Sequence, residues 1–265
     1  MSGAELRAGR LFDRETGRAY VVAIDHGMLF GVQEGSEDAV AAVERCLATE
    51  PDGLFISPGL FARTGHLFAY RGAASPIVRL DFLTIHEHTK PYGDRHRILC
   101  SPQQAAALGA DAVVMYLMFG AAEGETFAGN LSAIAEATEE AHALGLAVIV
   151  EAVGWGSKAK SGPDPELLTF GCRLGAEIGA DVIKTEYTGD PDSMGRLVAG
   201  CPVPVMVLGG AKVDSVDALL GSTRNALQAG ASGVIYGRNI WQADDPLRVG
   251  EAVRALVHDK SAVPA

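Results

Sequence analysis

Lys184 is the residue of this chain whose position is best suited to covalent chemistry. It lies in the run Ala-Asp-Val-Ile-Lys-Thr-Glu-Tyr-Thr-Gly-Asp (180–190), where Val182 and Ile183 start a short apolar strand and a polar loop follows. An amine at the end of a buried strand loses hydration, so its free base becomes more accessible for attack on a carbonyl carbon. The same placement also fits a lysine that extends from a strand end into solvent, and this segment alone leaves both interpretations open.

Composition excludes several classes of protein. The formal net charge of −11 over 265 residues argues against a nucleic-acid surface. No apolar run reaches the roughly 18 residues of a membrane span, and the polar N-terminus does not resemble a signal peptide. Four cysteines lie far apart without a Cys-x-x-Cys pair, which favours reduced thiols over disulfides or zinc: Cys46, Cys100, Cys172 and Cys201. We therefore expect a cytoplasmic protein whose partners are neither membranes nor nucleic acids.

Eight short β-rich apolar segments alternate with helical patterns along the whole chain. The segments cover residues 19–25, 53–57, 76–81, 112–117, 147–153, 181–186, 203–208 and 233–236. Amphipathic stretches between them include 37–48, 126–144, 165–178 and 213–229. This alternation predicts βαβ units, and eight such units in about 250 residues match a (β/α)8 barrel. Because no Gly-x-Gly-x-x-Gly follows the first strand and no linker divides the chain, we predict one α/β domain, a single (β/α)8 TIM barrel over 1–265.

Residues typical of helix ends agree with these predicted elements. Ser36 and Ser101 are predicted helix N-caps, and Gly145, Gly179 and Gly230 follow predicted helix ends. The third unit has the weakest pattern, because its residues 82–99 carry many charges and histidines. We interpret that segment as a loop over the face that bears the functional site.

Chemistry in such barrels gathers at the C-terminal ends of the strands. Asp25 ends the first predicted strand, Glu151 lies near the end of the fifth, and Lys184 lies near the end of the sixth. Side chains two residues apart share a face of a strand, so Glu186 is expected on the face of Lys184. Asp25 fits a turn or helix cap as well, but its position favours a functional role.

Two glycine-bearing turns end the last two strands. Gly209 and Gly210 follow the seventh strand, and Gly237 and Arg238 follow the eighth. Glycines let backbone N–H groups approach an anion, and barrels often bind phosphate in these two loops. Tight turns alone would also explain the glycines, but their pairing favours a phosphate site that Arg238 strengthens. Lys212 adds a second cation that could hold the phosphate.

The histidines give no comparable pattern. His26 is expected to be a packed histidine beside Asp25. His86, His88 and His96, with Glu87 and Asp94, lack the helical spacing of a metal site, so a solvated loop is favoured. We predict neither a metal nor a cofactor.

Taken together, these pieces resemble the archaeal-type class I fructose-bisphosphate aldolases, a Schiff-base group built on the (β/α)8 barrel. The resemblance rests on motifs that keep the family's order over nearly the whole chain: Ile-Asp-His-Gly (24–27), Leu-Gly-Ala-Asp-Ala-Val (108–113), Val-Ile-Lys-Thr-Glu-Tyr-Thr-Gly-Asp (182–190), Leu-Gly-Gly-Ala-Lys (208–212) and Gly-Arg-Asn (237–239). It implies that Lys184 forms the Schiff base and that Asp25 assists the carbinolamine and proton steps. It also implies a substrate phosphate on Gly209, Gly210, Gly237 and Arg238, and assembly into a homo-oligomer.

One position departs from the family pattern. The family carries an acid/base tyrosine near the end of the fifth strand, and Val153 occupies that position here. Glu151, on the same strand face, is the first candidate to replace it, with Glu186, Tyr187 and Tyr116 behind it. The departure puts fructose 1,6-bisphosphate in doubt as the substrate.

The expected reaction is C–C bond cleavage or formation in a phosphorylated ketose. Lys184 would form an iminium ion that acts as an electron sink, and Asp25 or Glu151 would remove the hydroxyl proton to release a product like dihydroxyacetone phosphate. Two alternatives stay open: a transferase that moves an acyl or ketol unit through the same imine, and a non-catalytic barrel that only binds sugar phosphates. A metal-dependent aldolase is the least favoured option.

Overall fold

The computed structural model of the chain describes residues 2–213 and 215–259, and these residues form ten strands. The strands are β1 (Ala19–Ala23), β2 (Gly53–Ile56), β3 (Ser75–Arg79), β4 (Asp81–Leu83), β5 (His96–Ile98), β6 (Ala112–Phe119), β7 (Ala147–Gly154), β8 (Val182–Glu186), β9 (Val205–Leu208) and β10 (Gly233–Tyr236). All except β4 and β5 form one closed parallel barrel in the order β1-β10-β9-β8-β7-β6-β3-β2. The predicted (β/α)8 barrel is therefore confirmed.

Helices follow the barrel strands and cover the outside of the sheet. The described helices are α1 (Gly3–Arg10), α2 (Gly27–Phe30), α3 (Ala39–Ala48), α4 (Pro58–Thr64), α5 (Pro102–Leu108), α6 (Gly124–Ala143), α7 (Pro165–Glu177), α8 (Pro191–Gly200), α9 (Val216–Gln228), α10 (Arg238–Trp241) and α11 (Pro246–Val257). Across residues 2–213 and 215–259, no helix has both the length and the apolar character needed to cross a membrane.

Helix ends follow the predictions with one exception. Ser101 caps α5 in a capping box with Gln104, as expected. Helix α3, however, is capped by Asp38, whose side chain accepts hydrogen bonds from the backbone N–H groups of Val40 and Ala41. The prediction of Ser36 as its N-cap is wrong, because the carboxylate nearer the first turn satisfies those free N–H groups.

The segment 82–99 is more ordered than the predicted loop. Strands β4 and β5 pair antiparallel, with Asp81 opposite Ile98 and Leu83 opposite His96. Leu83 and Ile85 are buried in an apolar cluster at the C-terminal end of the barrel. The segment therefore forms a hairpin over the functional face, because its few apolar residues pair and pack inward while its charges stay outside.

The barrel interior changes from apolar to charged along the strand direction. Its lower layers are filled by alternate strand residues such as Val21, Ile77, Ile149 and Val182, and α1 closes the bottom through the adjoining Leu11. One layer higher, the same inward positions carry charged side chains, which are Asp25, Arg79, Glu151 and Lys184. A close-packed apolar floor thus supports a polar layer at the end where barrel enzymes do their chemistry.

Candidate active site

Strand β8 brings the predicted nucleophile to a cavity at the C-terminal end of the barrel. Lys184 lines this cavity and is only 6% exposed. The strand register sets Glu151 of β7 directly beside it, and the Lys184 Nζ atom lies 2.9 Å from Glu151 Oε1. The amine is therefore paired with a carboxylate within hydrogen-bond distance, in the wall of the cavity.

Arg79 at the end of β3 is the centre of a buried charge network. Its guanidinium is fully buried and donates to three carboxylates: Nε to Asp25 Oδ2 at 2.8 Å, Nη2 to Glu151 Oε2 at 2.5 Å and Nη1 to Asp81 Oδ1 at 3.3 Å. The Tyr116 ring covers the guanidinium, with its centroid 3.8 Å from Arg79 Cζ. The fixed fork of donors therefore sets the orientation of both predicted catalytic carboxylates.

Sequence reasoning missed Arg79, although the signal is present. The residue interrupts an apolar run, Pro-Ile-Val-Arg-Leu-Asp (76–81), and shares a strand face with Ile77 and Asp81. A cation predicted to point into a barrel must be paired with buried carboxylates. That requirement predicts acidic partners for Arg79 but does not identify them until the inward positions of separate strands are compared.

The carboxyl groups of Asp25 and Glu186 have opposite pKa shifts in the same cavity. Burial acts to raise the pKa of Asp25, but Arg79, with help from His26 and Lys184, lowers it to about 2. Glu186 lies one step above Lys184 on the same strand face, where burial and the nearby Glu151 raise its pKa above the ordinary 4.5. Asp25 is therefore a fixed carboxylate at neutral pH, whereas Glu186 takes up a proton more readily.

His26 and Tyr116 stay uncharged at neutral pH. Burial lowers the pKa of His26 to about 4, and the neighbouring cations Lys184 and Arg238 act in the same direction. The His26 ring packs edge-on against Trp241 at a centroid distance of 5.4 Å. Burial raises the pKa of the Tyr116 phenol well above its usual value, so the hydroxyl keeps its proton.

The turns after β9 and β10 build the other end of the cavity. Gly209, Gly210, Gly237 and Arg238 all line it. A Cβ atom at position 237 would lie 2.4 Å from His26 Cε1, so only glycine fits there without displacing the ring. Arg238 Nη2 donates to the Gly210 carbonyl at 3.0 Å, while its buried Nε has no hydrogen-bond partner among the described residues. The site thus retains a charged donor for an anionic ligand.

Asn239 holds the first of these turns in place. Its Nδ2 group donates to the carbonyls of Gly209 at 2.8 Å and Ala211 at 3.2 Å, and its Oδ1 atom accepts from Val213 N at 2.8 Å. The sequence marked Asn239 only as part of a motif. The structure gives it a positioning role, because one buried side chain satisfies three backbone groups of the turn.

Lys212 is not brought together with the other predicted phosphate ligands. Its Nζ atom donates to the Gln242 carbonyl at 2.7 Å at an exposed position. Lys212 lines a neighbouring cavity between α9 and α11 rather than the one that contains Lys184. The carbonyl at the end of α10 provides the acceptor that directs this side chain outward.

Two members of the predicted solvated loop have structural roles. His96 is buried, and its Nε2 atom lies 3.0 Å from Asp81 Oδ2, which joins the hairpin to the Arg79 network. Asp94 accepts hydrogen bonds from the backbone N–H groups of Ser157 and Ala122, so it ties the loops after β6 and β7 to the hairpin. Residues 2–213 and 215–259 contain no group of three or more His, Cys, Asp or Glu side chains placed to hold a metal ion.

The cavity lined by Lys184, Glu151 and Arg238 has a volume of about 260 Å³. A larger cavity of about 950 Å³ lies at the opposite end of the barrel, beside Asp52, Ser75 and Asp111. None of the predicted catalytic residues lines the larger cavity. The smaller one is the candidate active site, because it holds the amine, the carboxylates and the unpartnered Arg238 donor together.

A parallel barrel with a buried lysine beside a carboxylate at its C-terminal end is the arrangement expected of an enzyme that forms an imine with a carbonyl substrate. A family model described as DeoC/LacD family aldolase matches residues 19–243. The chain belongs to this family.

Individual relatives agree with this assignment. An uncharacterized aldolase of Saccharolobus solfataricus is 34% identical over 267 residues, which cover 98% of this chain and 96% of the relative. A 2-amino-4,5-dihydroxy-6-oxo-7-(phosphonooxy)heptanoate synthase of Streptomyces griseus is 29% identical to this chain. The match covers 96% of this chain and 90% of the synthase.

Among solved structures, this chain is similar to an archaeal fructose-1,6-bisphosphate aldolase whose catalytic lysine is covalently bound to the carbinolamine intermediate of its substrate. The TM-score is 0.83 at 26% identity, and the match covers 97% of this chain and 99% of the other. The resemblance to archaeal Schiff-base aldolases is confirmed, and the protein is a class I aldolase.

Proposed function

We propose that the protein cleaves or forms a C–C bond in a phosphorylated ketose through an imine on Lys184. The ketone fragment is dihydroxyacetone phosphate or a similar ketone phosphate. The observation that carries the proposal is the placement of Lys184 Nζ 2.9 Å from Glu151 Oε1, in a cavity whose opposite end carries Arg238 and the two glycine turns. A nucleophile and an anion site in one cavity match the two ends of a ketone phosphate.

Glu151 prepares the amine for attack. Its Oε1 atom accepts the proton that Lys184 Nζ gives up, while Arg79 holds its second oxygen at 2.5 Å. The free amine then adds to the ketone carbon to give a carbinolamine, which loses water to form an iminium ion. The iminium nitrogen withdraws electrons from the neighbouring C–C bond and stabilises the enamine that cleavage leaves behind.

Asp25 supplies permanent negative charge beside this cationic intermediate. Because its pKa is held at about 2, the carboxylate stays ionised while positive charge develops at the Lys184 nitrogen. Arg79 and the surrounding strands fix its position before the substrate arrives, so little reorganisation is needed during the reaction.

The anionic end of the substrate is assigned to the turns after β9 and β10. The unpartnered Nε of Arg238 supports this assignment, as do the backbone N–H groups of Gly209 and Gly210. The names of two relatives support a phosphorylated substrate as well, since one acts on a bisphosphate and the other makes a phosphonooxy product.

The test compares Lys184→Met with Lys212→Met on a panel of phosphorylated ketoses and their unphosphorylated counterparts. We expect Lys184→Met to lose cleavage activity completely with its fold intact, and Lys212→Met to keep most of the wild-type rate. Wild-type activity should require the phosphate group. Activity retained by Lys184→Met would contradict the mechanism, and turnover only with a second substrate would favour a transferase.

We infer further that the protein is a cytoplasmic homo-oligomer. All four cysteines are free, and three of them are buried, which fits a reducing compartment. Light scattering of the purified protein measures the mass in solution, and a monomer would contradict the inference on assembly.

A further inference from the structure

The proposed aldol chemistry needs one group that takes a proton from the substrate and returns it to carbon. Such a group must line the cavity near the bond that breaks, and it must change its protonation state easily. Six ionisable side chains other than Glu186 line the cavity: Asp25, His26, Tyr116, Glu151, Lys184 and Arg238.

Most of these groups are committed elsewhere. Glu151 is assigned to the amine, since one of its oxygens lies 2.9 Å from Lys184 Nζ and the other accepts from Arg79. Asp25 accepts from Arg79 and, with a pKa of about 2, does not hold a proton at neutral pH. Tyr116 has the opposite difficulty, because its raised pKa keeps the phenol protonated throughout.

The two remaining groups are equally unsuited. His26 is held by packing, because its ring lies edge-on against Trp241 and fills the space beside Gly237. Arg238 holds the Gly210 carbonyl at the anion end, and a guanidinium does not give up its proton in this pH range. Elimination leaves Glu186.

Glu186 has the position and the freedom that the role requires. It shares the inward face of β8 with Lys184, one step nearer the cavity mouth, and it lines the cavity wall with Gly209. Among residues 2–213 and 215–259, no group donates a hydrogen bond to its carboxylate. The neighbouring β7 position at the same level is Val153, which follows the Ala152–Thr185 register pair. An apolar neighbour leaves the carboxylate unpaired and half-buried.

We propose that Glu186 is the catalytic acid/base that moves the proton between the substrate hydroxyl and carbon, an inference that rests on the proposed function. In cleavage, its carboxylate accepts the hydroxyl proton while the C–C bond electrons flow to the iminium nitrogen, which yields an aldehyde and an enamine. The resulting carboxylic acid then donates that proton to the enamine carbon and restores the iminium ion. Hydrolysis releases the ketone, so the proton and the electrons balance within one turnover.

The raised pKa of Glu186 suits both halves of this cycle. Because burial and Glu151 raise the pKa of this carboxyl group, its carboxylate is a stronger base than that of an exposed glutamate. The charged group that shifts its pKa is the Glu151 carboxylate, which raises it, and the cations that line the same cavity are Lys184 on the same strand and Arg238 after β10.

The experiment separates imine formation from proton transfer. Wild type, Glu186→Gln and the control Glu139→Gln, which changes an exposed carboxylate on α6, are each incubated with dihydroxyacetone phosphate alone. Borohydride reduction and mass spectrometry report the imine on Lys184. In parallel, NMR in D2O follows deuterium exchange at the substrate carbon next to the ketone, a step that forms and reprotonates the enamine.

We expect Glu186→Gln to be trapped on Lys184 as completely as wild type, while its exchange rate falls by roughly 100-fold or more. Glu139→Gln should match wild type in both assays. In wild type the exchange rate should fall as pH drops and Glu186 becomes protonated, and the residual rate of Glu186→Gln should lack this dependence. If Glu186→Gln is fully trapped on Lys184 and still exchanges deuterium at the wild-type rate, the assignment to Glu186 is wrong while the proposed function stands. If wild type is not trapped at all, the proposed function itself is wrong.

Discussion

The buried guanidinium of Arg79 is predicted to hold the active-site layer together energetically. Replacing it by methionine keeps the approximate length of the side chain but leaves Asp25, Asp81 and Glu151 in the barrel interior without their shared cation. Removing one partner of a buried ionic network costs about 3–5 kcal/mol, because the remaining charges stay buried and uncompensated.

The pKa of Asp25 accounts for part of this free-energy cost. The pKa of Asp25 falls from 3.8 to about 2 in the folded protein, despite burial. This shift contributes about 2 kcal/mol to the free energy of unfolding at pH values above the pKa of Asp25 in the unfolded chain. The contribution is lost as the pH falls through the pKa of Asp25 in the folded protein. Arg79 also contacts Asp81 and Glu151, so a total of about 3–5 kcal/mol for Arg79→Met is consistent with the loss of a cation shared by three buried carboxylates.

The pH dependence gives a sharper test than the magnitude. Without Arg79, burial raises the pKa of the Asp25 carboxyl group above its unfolded value. The folded variant then binds more protons than its unfolded chain, so its free energy of unfolding rises as pH falls from 7 towards 5. In wild type Asp25, with a pKa of about 2, stays ionised over the same range. The stability gap between wild type and Arg79→Met should therefore narrow on acidification.

Urea denaturation followed by tryptophan fluorescence at pH 7, 6 and 5 measures this gap. The control is Arg71→Met, which removes an exposed arginine and should change stability by less than about 0.5 kcal/mol. A gap below about 1 kcal/mol for Arg79→Met would refute the reasoning that the network depends on this cation. A gap of constant size at all three pH values would do the same.

Two further substitutions test the anion site and the barrel closure. Arg238→Ala should raise KM for a phosphorylated substrate by roughly 10–100-fold, because one charge-assisted hydrogen bond is lost. KM for the unphosphorylated counterpart should stay nearly unchanged. Equal effects on both substrates would contradict a role in phosphate binding. Gly233→Ala should destabilise the fold by more than about 4 kcal/mol, because its Cβ atom would lie 2.0 Å from the Ala19 carbonyl oxygen at a φ of +141°. A thermal melt within a few degrees of wild type would show that the β1–β10 contact relaxes easily.

The barrel was predictable from sequence because its signal is local and repeated. Each barrel strand is a short apolar run, and the helices α6, α7 and α9 are each followed by a glycine directly after the C-cap residue. The same alternation placed Lys184 and Glu151 on inward faces. Their pairing at 2.9 Å follows from the register of β7 and β8, which neighbouring βαβ units impose.

The hairpin and the Arg79 network were not predictable in the same way. The strands β4 and β5 have only three residues each, too short for a period of two to stand out among charged residues. Arg79 joins carboxylates that lie 54 and 72 residues away in the chain. Such a network becomes visible only when inward positions of separate strands are compared as one layer.

The structural surroundings of the proposed anion site were predicted in part. The glycine turns and Arg238 lie around the cavity as expected, because strand ends determine where they start. The side chain of Lys212, by contrast, follows the carbonyl of Gln242, and Asn239 organises the turn through backbone groups. Both outcomes depend on where α10 begins and ends, and a one-dimensional pattern does not contain that information.

The central claim, that Lys184 forms the imine, is tested most directly by borohydride reduction in the presence of dihydroxyacetone phosphate, followed by peptide mass mapping. Imine formation on Lys184 predicts one reduced adduct in wild type, on the peptide that contains Lys184, and no adduct in Lys184→Met. An adduct on Lys212 or another lysine, or an unmodified protein that nevertheless turns the substrate over, would contradict it.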